Sequence, residues 1–356
     1  MTLIAVVPGD DAAPEAMTAS LRVLRALNSA DAPLEFDVLP PGSELADMPL
    51  AEREAMVVER LDQADTVLFG SSNGTTPGIA HLRWGRLTYA NVRPVQWRPG
   101  FRSPMAHPEQ LDYVIVRENL EDAYVGIMGD VDALRASDLI GPRARLAWEG
   151  EGRFATKIIT REGTERVARF SFELARKRAA EDGRQARLTV SAKTNMLPAT
   201  DRWFCDIVEE VGGSYPDVRL DQFIVDDMAH RLVLQTDQLD VLLLPNLYGD
   251  VLSDLGAGTI GGMGLAQSGC YGDDFAYFES AHGTAPDIAG QERINPTATL
   301  LSAVMMLRWL DRHGEAKRLD DAVTAVYREG RTLTVDQGGT ATTGEFADAV
   351  IAHLDG

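Results

Sequence analysis

The chain has only two cysteines in 356 residues, Cys205 and Cys270. So few, so far apart, exclude a disulfide framework and a metal knuckle, and both read as ordinary buried thiols. Long apolar runs are missing too. None approaches the ~18 residues of a spanning helix, so no membrane role is expected. Basic residues are scarce beside acidic ones, 34 against 54, giving a net charge of −20 and a pI near 4.7. That balance argues against nucleic acid or an anionic lipid surface as a partner. A small anion responds to local charge and stays open. Repeats, low-complexity tracts and a flexible linker are absent. The sequence starts on a strand-like run, Leu3–Val7, without the basic and apolar regions of a secretory signal, so the expected location is cytoplasmic.

What is present is a βαβ rhythm. Leu3–Val7, Phe36–Leu39, Thr66–Phe69, Tyr113–Val116 and Leu188–Ser191 read as strands. A helix is expected from Pro14 to Asn28, where Met17, Leu21, Leu24 and Leu27 recur near the 3.6-residue period. Others are expected over Leu50–Asp62, Pro296–Asp311, Leu319–Glu329 and Thr343–Leu354. Alternation of this kind predicts an α/β fold with a largely parallel sheet. The length allows two lobes.

The stretch Leu239–Pro296 carries the densest information. Val241–Leu244 is an unbroken apolar run, as in a strand buried on both faces. A helix pattern follows, and Asp250 and Asp254 stand four apart on one face of it. Such a pair is either a solvated acidic face or part of an all-oxygen site for a hard cation, Mg²⁺ or Mn²⁺. The loop His282-Gly283-Thr284-Ala285-Pro286-Asp287, with Asn295-Pro296 beyond it, is too rich in breakers for a plain connection. A GxGxxG match at Gly256–Gly261 follows a helix rather than a strand. It is therefore set aside as a dinucleotide fingerprint and read as a helix end.

The paired motifs Asn-Leu-Tyr-Gly-Asp-x-x-x-Asp and His-Gly-Thr-Ala-Pro-Asp resemble those of the β-decarboxylating dehydrogenases, the isocitrate and 3-isopropylmalate dehydrogenase family, from Pro8 to about Thr343. The resemblance implies an isopropylmalate dehydrogenase-like two-domain fold without a GxGxxG Rossmann domain. Residues 1–90 and 259–356 would form one domain, with 91–258 inserted as the second. It further implies metal ligation by Asp226, Asp250 and Asp254, and a homodimer in which Lys193 and Asp226 reach into the partner's site.

Arg83, Arg93 and Arg117 are each unremarkable alone. As a set they suit a di- or tricarboxylate, because a guanidinium meets a carboxylate through two hydrogen bonds. By resemblance they clamp the malate core of a 2-hydroxy diacid. Tyr124, otherwise a packed aromatic, would donate a proton to the carbon that loses CO₂. Lys193 follows an apolar strand where lysines are unusual, and is expected to be an interior, functional amine. It would help remove the C2 hydroxyl proton while NAD takes the hydride. Asn195 is expected beside the substrate. His282, Gly283, Ala285, Ile288 and Asn295 would line the adenosine, and Glu279 the nicotinamide ribose. NADP-dependent isocitrate enzymes of the family carry Lys-Tyr where Asp287-Ile288 stands. A carboxylate there favours the free 2′-hydroxyl of NAD.

Three departures from the family pattern stand out. The first loop reads Pro8-Gly9-Asp10-Asp11-Ala12-Ala13-Pro14-Glu15 and lacks two glycines, which makes positive φ costlier at Asp11 and Ala13. Leu87 replaces an acidic residue, and Trp84 and Arg86 are atypical. Before Arg83 stand Ile79 and Ala80, which with Met196 offer an apolar pocket and no third cation. A 3-substituted, 3-isopropylmalate-like malate is therefore the expected substrate. D-malate or tartrate, and isocitrate or homoisocitrate, are the alternatives. A non-catalytic regulatory subunit is the alternative of another class, and retention of Tyr124, Lys193 and the three aspartates speaks against it.

Overall fold

The computed structural model describes residues 2–28, 33–45, 47–137 and 150–354. In chain order its elements are β1 (Thr2–Val7), α1 (Ala13–Leu27), β2 (Leu34–Val38), α2 (Leu50–Asp62), β3 (Thr66–Phe69), β4 (Ala90–Gln96), β5 (Asp112–Glu118), β6 (Met128–Asp130) and α3 (Val131–Arg135). There follow β7 (Arg153–Ala155), α4 (Arg161–Asp182), β8 (Arg187–Ala192), α5 (Trp203–Gly212), β9 (Arg219–Ile224), α6 (Val225–Leu234) and β10 (Val241–Leu244). The chain closes with α7 (Asn246–Ile260), β11 (Gln267–Tyr271), β12 (Ala276–Ser280), α8 (Thr297–Trp309), α9 (His313–Glu329) and α10 (Thr343–Ala352).

Ten strands form one sheet in the order β2-β1-β3-β12-β11-β4-β5-β10-β8-β9, and β6 pairs β7 apart from it. The four strands at one end are mutually parallel, as are the four at the other. Between them β11 and β4 pair antiparallel with every neighbour, which reverses the strand direction between the two halves. The α/β expectation is met, with this antiparallel seam as its refinement. Pro94 is tolerated in so central a strand because β11 pairs only with Ala90–Val92, leaving no ladder bond for it to lose.

Burial follows the strands. Val241–Leu244 is fully buried, as its unbroken apolar run requires. One core cluster draws only on residues between Tyr89 and Leu243, while the largest joins both ends of the chain to the middle through Ile4, Val95, Tyr113 and Val304. Among the described residues no helix is long and apolar enough to cross a membrane. The GxGxxG match lies in the last turns of α7, which ends where Gly261 and Gly262 take φ of 130° and 125°. In the altered first loop the strain falls on Asp11, at φ 53°, but not on Ala13, which opens α1 instead. Asp10 anchors this loop by accepting bonds from the backbone of Asn73 and the hydroxyls of Ser72 and Thr76.

Candidate active site

The site lies at the antiparallel seam. Arg93 on β4 and Arg117 on β5 are 6% and 3% exposed, and burying two like charges requires compensation. Asp250 on α7 supplies it. Arg117 pairs with Asp250 and donates from Nε to Asn246 Oδ1 at 2.7 Å. Arg93 Nη1 stands 3.3 Å from Asp250 Oδ1 and donates to Ser253 at 2.7 Å, while its Nε donates to Asn91 Oδ1 at 2.7 Å. Gly249 makes this possible, because a Cβ there would come within 2.6 Å of the Arg117 side chain. The glycine inside the Asn-Leu-Tyr-Gly-Asp motif thus lets α7 lie against β5.

Electrostatics follow the geometry. Burial pushes Asp250 up, but the guanidiniums of Arg117 and Arg93 outweigh it and hold the carboxyl below its usual range. For Arg117 burial dominates, and with the Arg93 charge it lowers the guanidinium to about 10. Tyr124 donates to Asp250 Oδ2 at 2.9 Å. Burial, then the neighbouring Asp250, raises its phenol, so it carries its proton at neutral pH. One turn on, Asp254 is raised by burial and faces Arg93 at 3.8 Å.

These groups open on a cleft of about 450 Å³, whose other walls include Ile79, Arg83, Trp84, Ser71, Glu279 and His282. Arg83 is steadied by Tyr277, 3.4 Å from its Nε. A second cleft of about 380 Å³ shares His282 and Gly283 with the first and adds Asp254, Ala285, Ile288 and Asn295. Asn295 is held by Asp336 and Tyr327 at 3.0 and 3.1 Å. His282 places Nδ1 2.8 Å from Gly283 O, so that nitrogen carries the hydrogen and the buried Nε2 is an acceptor with no partner.

The interior placement of Lys193 and the pocket placement of Ala80 and Met196 need correction. Residues His81–Gly85 form a π-helical turn, which breaks the assumed α-helical face. Ile79 lines the cleft, but Ala80 points to solvent. His81 turns away to Asp62 at 2.8 Å, and Arg86 lies against the same carboxylate at 3.4 Å. Asp287 sits exposed on the turn beside the second cleft and does not line it. Lys193 is not interior. It stands partly exposed beside its strand and donates to Asp226 Oδ2 at 2.6 Å. Asn195 and Met196 share that exposed turn, away from the cleft. The expected reach of Asp226 into a partner's site is not a property of one chain: at the start of α6 it stands apart from its own chain's Asp250 and Asp254, and no group of three possible metal ligands converges within the chain among the described residues. The sequence reading missed Asn91, Asn246 and Ser253, which orient the arginines. Asn246 was within reach as the first polar residue of the motif.

The family profile "Isocitrate/isopropylmalate dehydrogenase" matches residues 3–350. The chain belongs to this family. Its members are decarboxylating dehydrogenases, and this chain is one. It is 38% identical over 356 residues to the 3-isopropylmalate/3-methylmalate dehydrogenase of Methanocaldococcus jannaschii, covering 99% of both chains. It is 37% identical to the NADP isocitrate dehydrogenase of Thermus thermophilus, covering 99% of this chain and 68% of that one. The crystal structure of isocitrate dehydrogenase from Methylococcus capsulatus superposes over 100% of both chains, with a TM-score of 0.84 and 29% identity. The fold is thus the isopropylmalate dehydrogenase fold.

Proposed function

We propose that this dehydrogenase oxidatively decarboxylates a 3-substituted, 3-isopropylmalate-like malate with NAD. Its site would be shared between two subunits, and residues 91–258 would form the inserted domain that brings them together. The carrying observation is the convergence of Arg93, Arg117 and the Tyr124 hydroxyl on Asp250 at the mouth of a cleft sided by Ile79 and Trp84. Arg83, Arg93 and Arg117 would hold the diacid carboxylates. Lys193 of the partner subunit would help remove the C2 hydroxyl proton. Tyr124, protonated at neutral pH, would deliver a proton to C3 after CO₂ leaves.

Asp250 and Asp254 offer two hard oxygen donors from one chain, and Asp226 across the interface would complete a set suited to Mg²⁺ or Mn²⁺. A bound cation would supply Lewis-acid polarisation of the C2 oxygen. The joined clefts and the unpartnered His282 Nε2 fit a dinucleotide, with Glu279 at its nicotinamide end and Asp287 near the 2′-hydroxyl.

Among the described residues no cation other than the clamp arginines lines the first cleft, since His81 and Arg86 are engaged by Asp62. A third carboxylate buried there unpaired would cost several kcal/mol. The test is NADH formation from a panel of 3-alkylmalates, D-malate, tartrate, isocitrate and homoisocitrate with Mg²⁺ or Mn²⁺. A 3-alkylmalate should have the highest kcat/KM. Isocitrate as the best substrate would overturn the substrate reading, and NADP⁺ used as well as NAD⁺ would overturn the cofactor reading. The relatives named isocitrate dehydrogenases make isocitrate the alternative to exclude.

A further inference from the structure

Behind the cleft lies a charged junction with no assigned role. Asp122 and Asp201 are fully buried, and Lys157 stands between them, 3.2 Å from Asp122 Oδ1 and 2.7 Å from Asp201 Oδ1. The Tyr248 ring covers the ammonium at 4.5 Å. Each carboxylate uses its other oxygen to hold a different segment. Asp122 Oδ2 accepts the Leu247 amide at 2.9 Å, in the first turn of α7, which carries Asp250 and Asp254. Asp201 Oδ2 accepts the Lys193 amide at 2.8 Å. Asp122 itself lies two residues before Tyr124 and takes a positive φ of 71°. Two carboxylates outnumber one ammonium here, and the amides of Leu247 and Ala123 on Asp122 and of Lys193 on Asp201 help to offset the excess negative charge.

We propose that Lys157 is a positioning residue, whose ammonium clamps Asp122 to Asp201 and so fixes the Tyr124 loop, the start of α7 and the Lys193 turn relative to one another. The inference rests on the functional reading above for the chemistry those three segments perform. If Lys193 serves the partner's site, the junction also ties the two sites together.

The test measures kcat, KM and thermal stability for Lys157→Met, Lys157→Arg and Asp201→Asn. Lys157→Met should lower kcat at least tenfold with a smaller rise in KM, because Arg83 and Arg93 keep Tyr277, Asn91 and Ser253 as partners outside the junction even where Arg117 is loosened through Asn246. Lys157→Arg should restore most of kcat. In a Tyr124→Phe background, Lys157→Met should lower kcat by less than it does in the wild type, since the part exerted through Tyr124 is already lost. Val350→Ala, a buried α10 position, should lower Tm with kcat within twofold. If Lys157→Met does not fold, Asp201→Asn leaves a balanced pair and should show the same kcat loss. A kcat within twofold, or full additivity with Tyr124→Phe, would overturn the inference. Wild-type enzyme inactive on every diacid would overturn the functional reading instead. Hydrogen exchange then decides the junction: Lys157→Met or Asp201→Asn should loosen residues 119–124, 193–197 and 246–250 together, and unchanged protection in any one overturns it.

Discussion

The Asp250 cluster and the Lys193–Asp226 pair make an instructive contrast. The first is built on two strands and a helix, with its arginines nearly inaccessible and each donor directed by Asn91, Asn246 or Ser253. The second sits on a turn and a helix start, with the Lys193 and Asp226 side chains 28% and 54% exposed. One group is complete within its chain, and the other is presented outward. Buried charge is costly unless paired, so the first set is also structural. A solvated ion pair contributes little to stability, so the second is free to serve a surface that docks on it. The proposed shared site follows from that division.

The largest expected effect is catalytic. Tyr124→Phe should lower kcat by about 10²–10⁴, with Tm nearly unchanged because the ring is 40% exposed. Lys193→Met should match it in both respects, and a large Tm loss in either would erase the distinction between the regions. Arg117→Lys should differ from both. Lysine keeps the charge but cannot reach Asn246 and Asp250 together, so about 1.5–3 kcal/mol of stability should be lost along with substrate affinity. Denaturant unfolding reads the first loss and KM the second. The smallest effect tests the cleft wall: Ile79→Ala should weaken preference for the longer 3-alkylmalates by about 0.8 kcal/mol for each CH₂ left unburied. Ala80→Leu, on the solvent side of the same turn, should leave relative kcat/KM values unaltered.

Much of this was legible in residue order. The apolar run Val241–Leu244 and the helix Leu50–Asp62 have the bounds expected, because burial on both faces and a 3.6-residue period are local properties. The motif around Asp250 announced the cluster. The antiparallel seam was not legible, since β11 is short and its partner β4 lies about 180 residues away. Ala80 was misread because the π-helical turn shifts the face that Arg83 shares. Lys193 was misread because the strand before it is buried while the turn that carries it is not. Whether an exposed pair meets another copy of the chain is not a local property.

Subunit complementation therefore tests the central claim most directly. Tyr124→Phe and Lys193→Met chains, each inactive alone, would be co-expressed or refolded together and assayed for NADH formation. If each site takes Tyr124 from one chain and Lys193 from the other, half the dimers are mixed and one of their two sites is intact. Activity should then recover to about a quarter of wild type. Activity no higher than that of either variant alone would place both residues in one subunit's site and contradict the account.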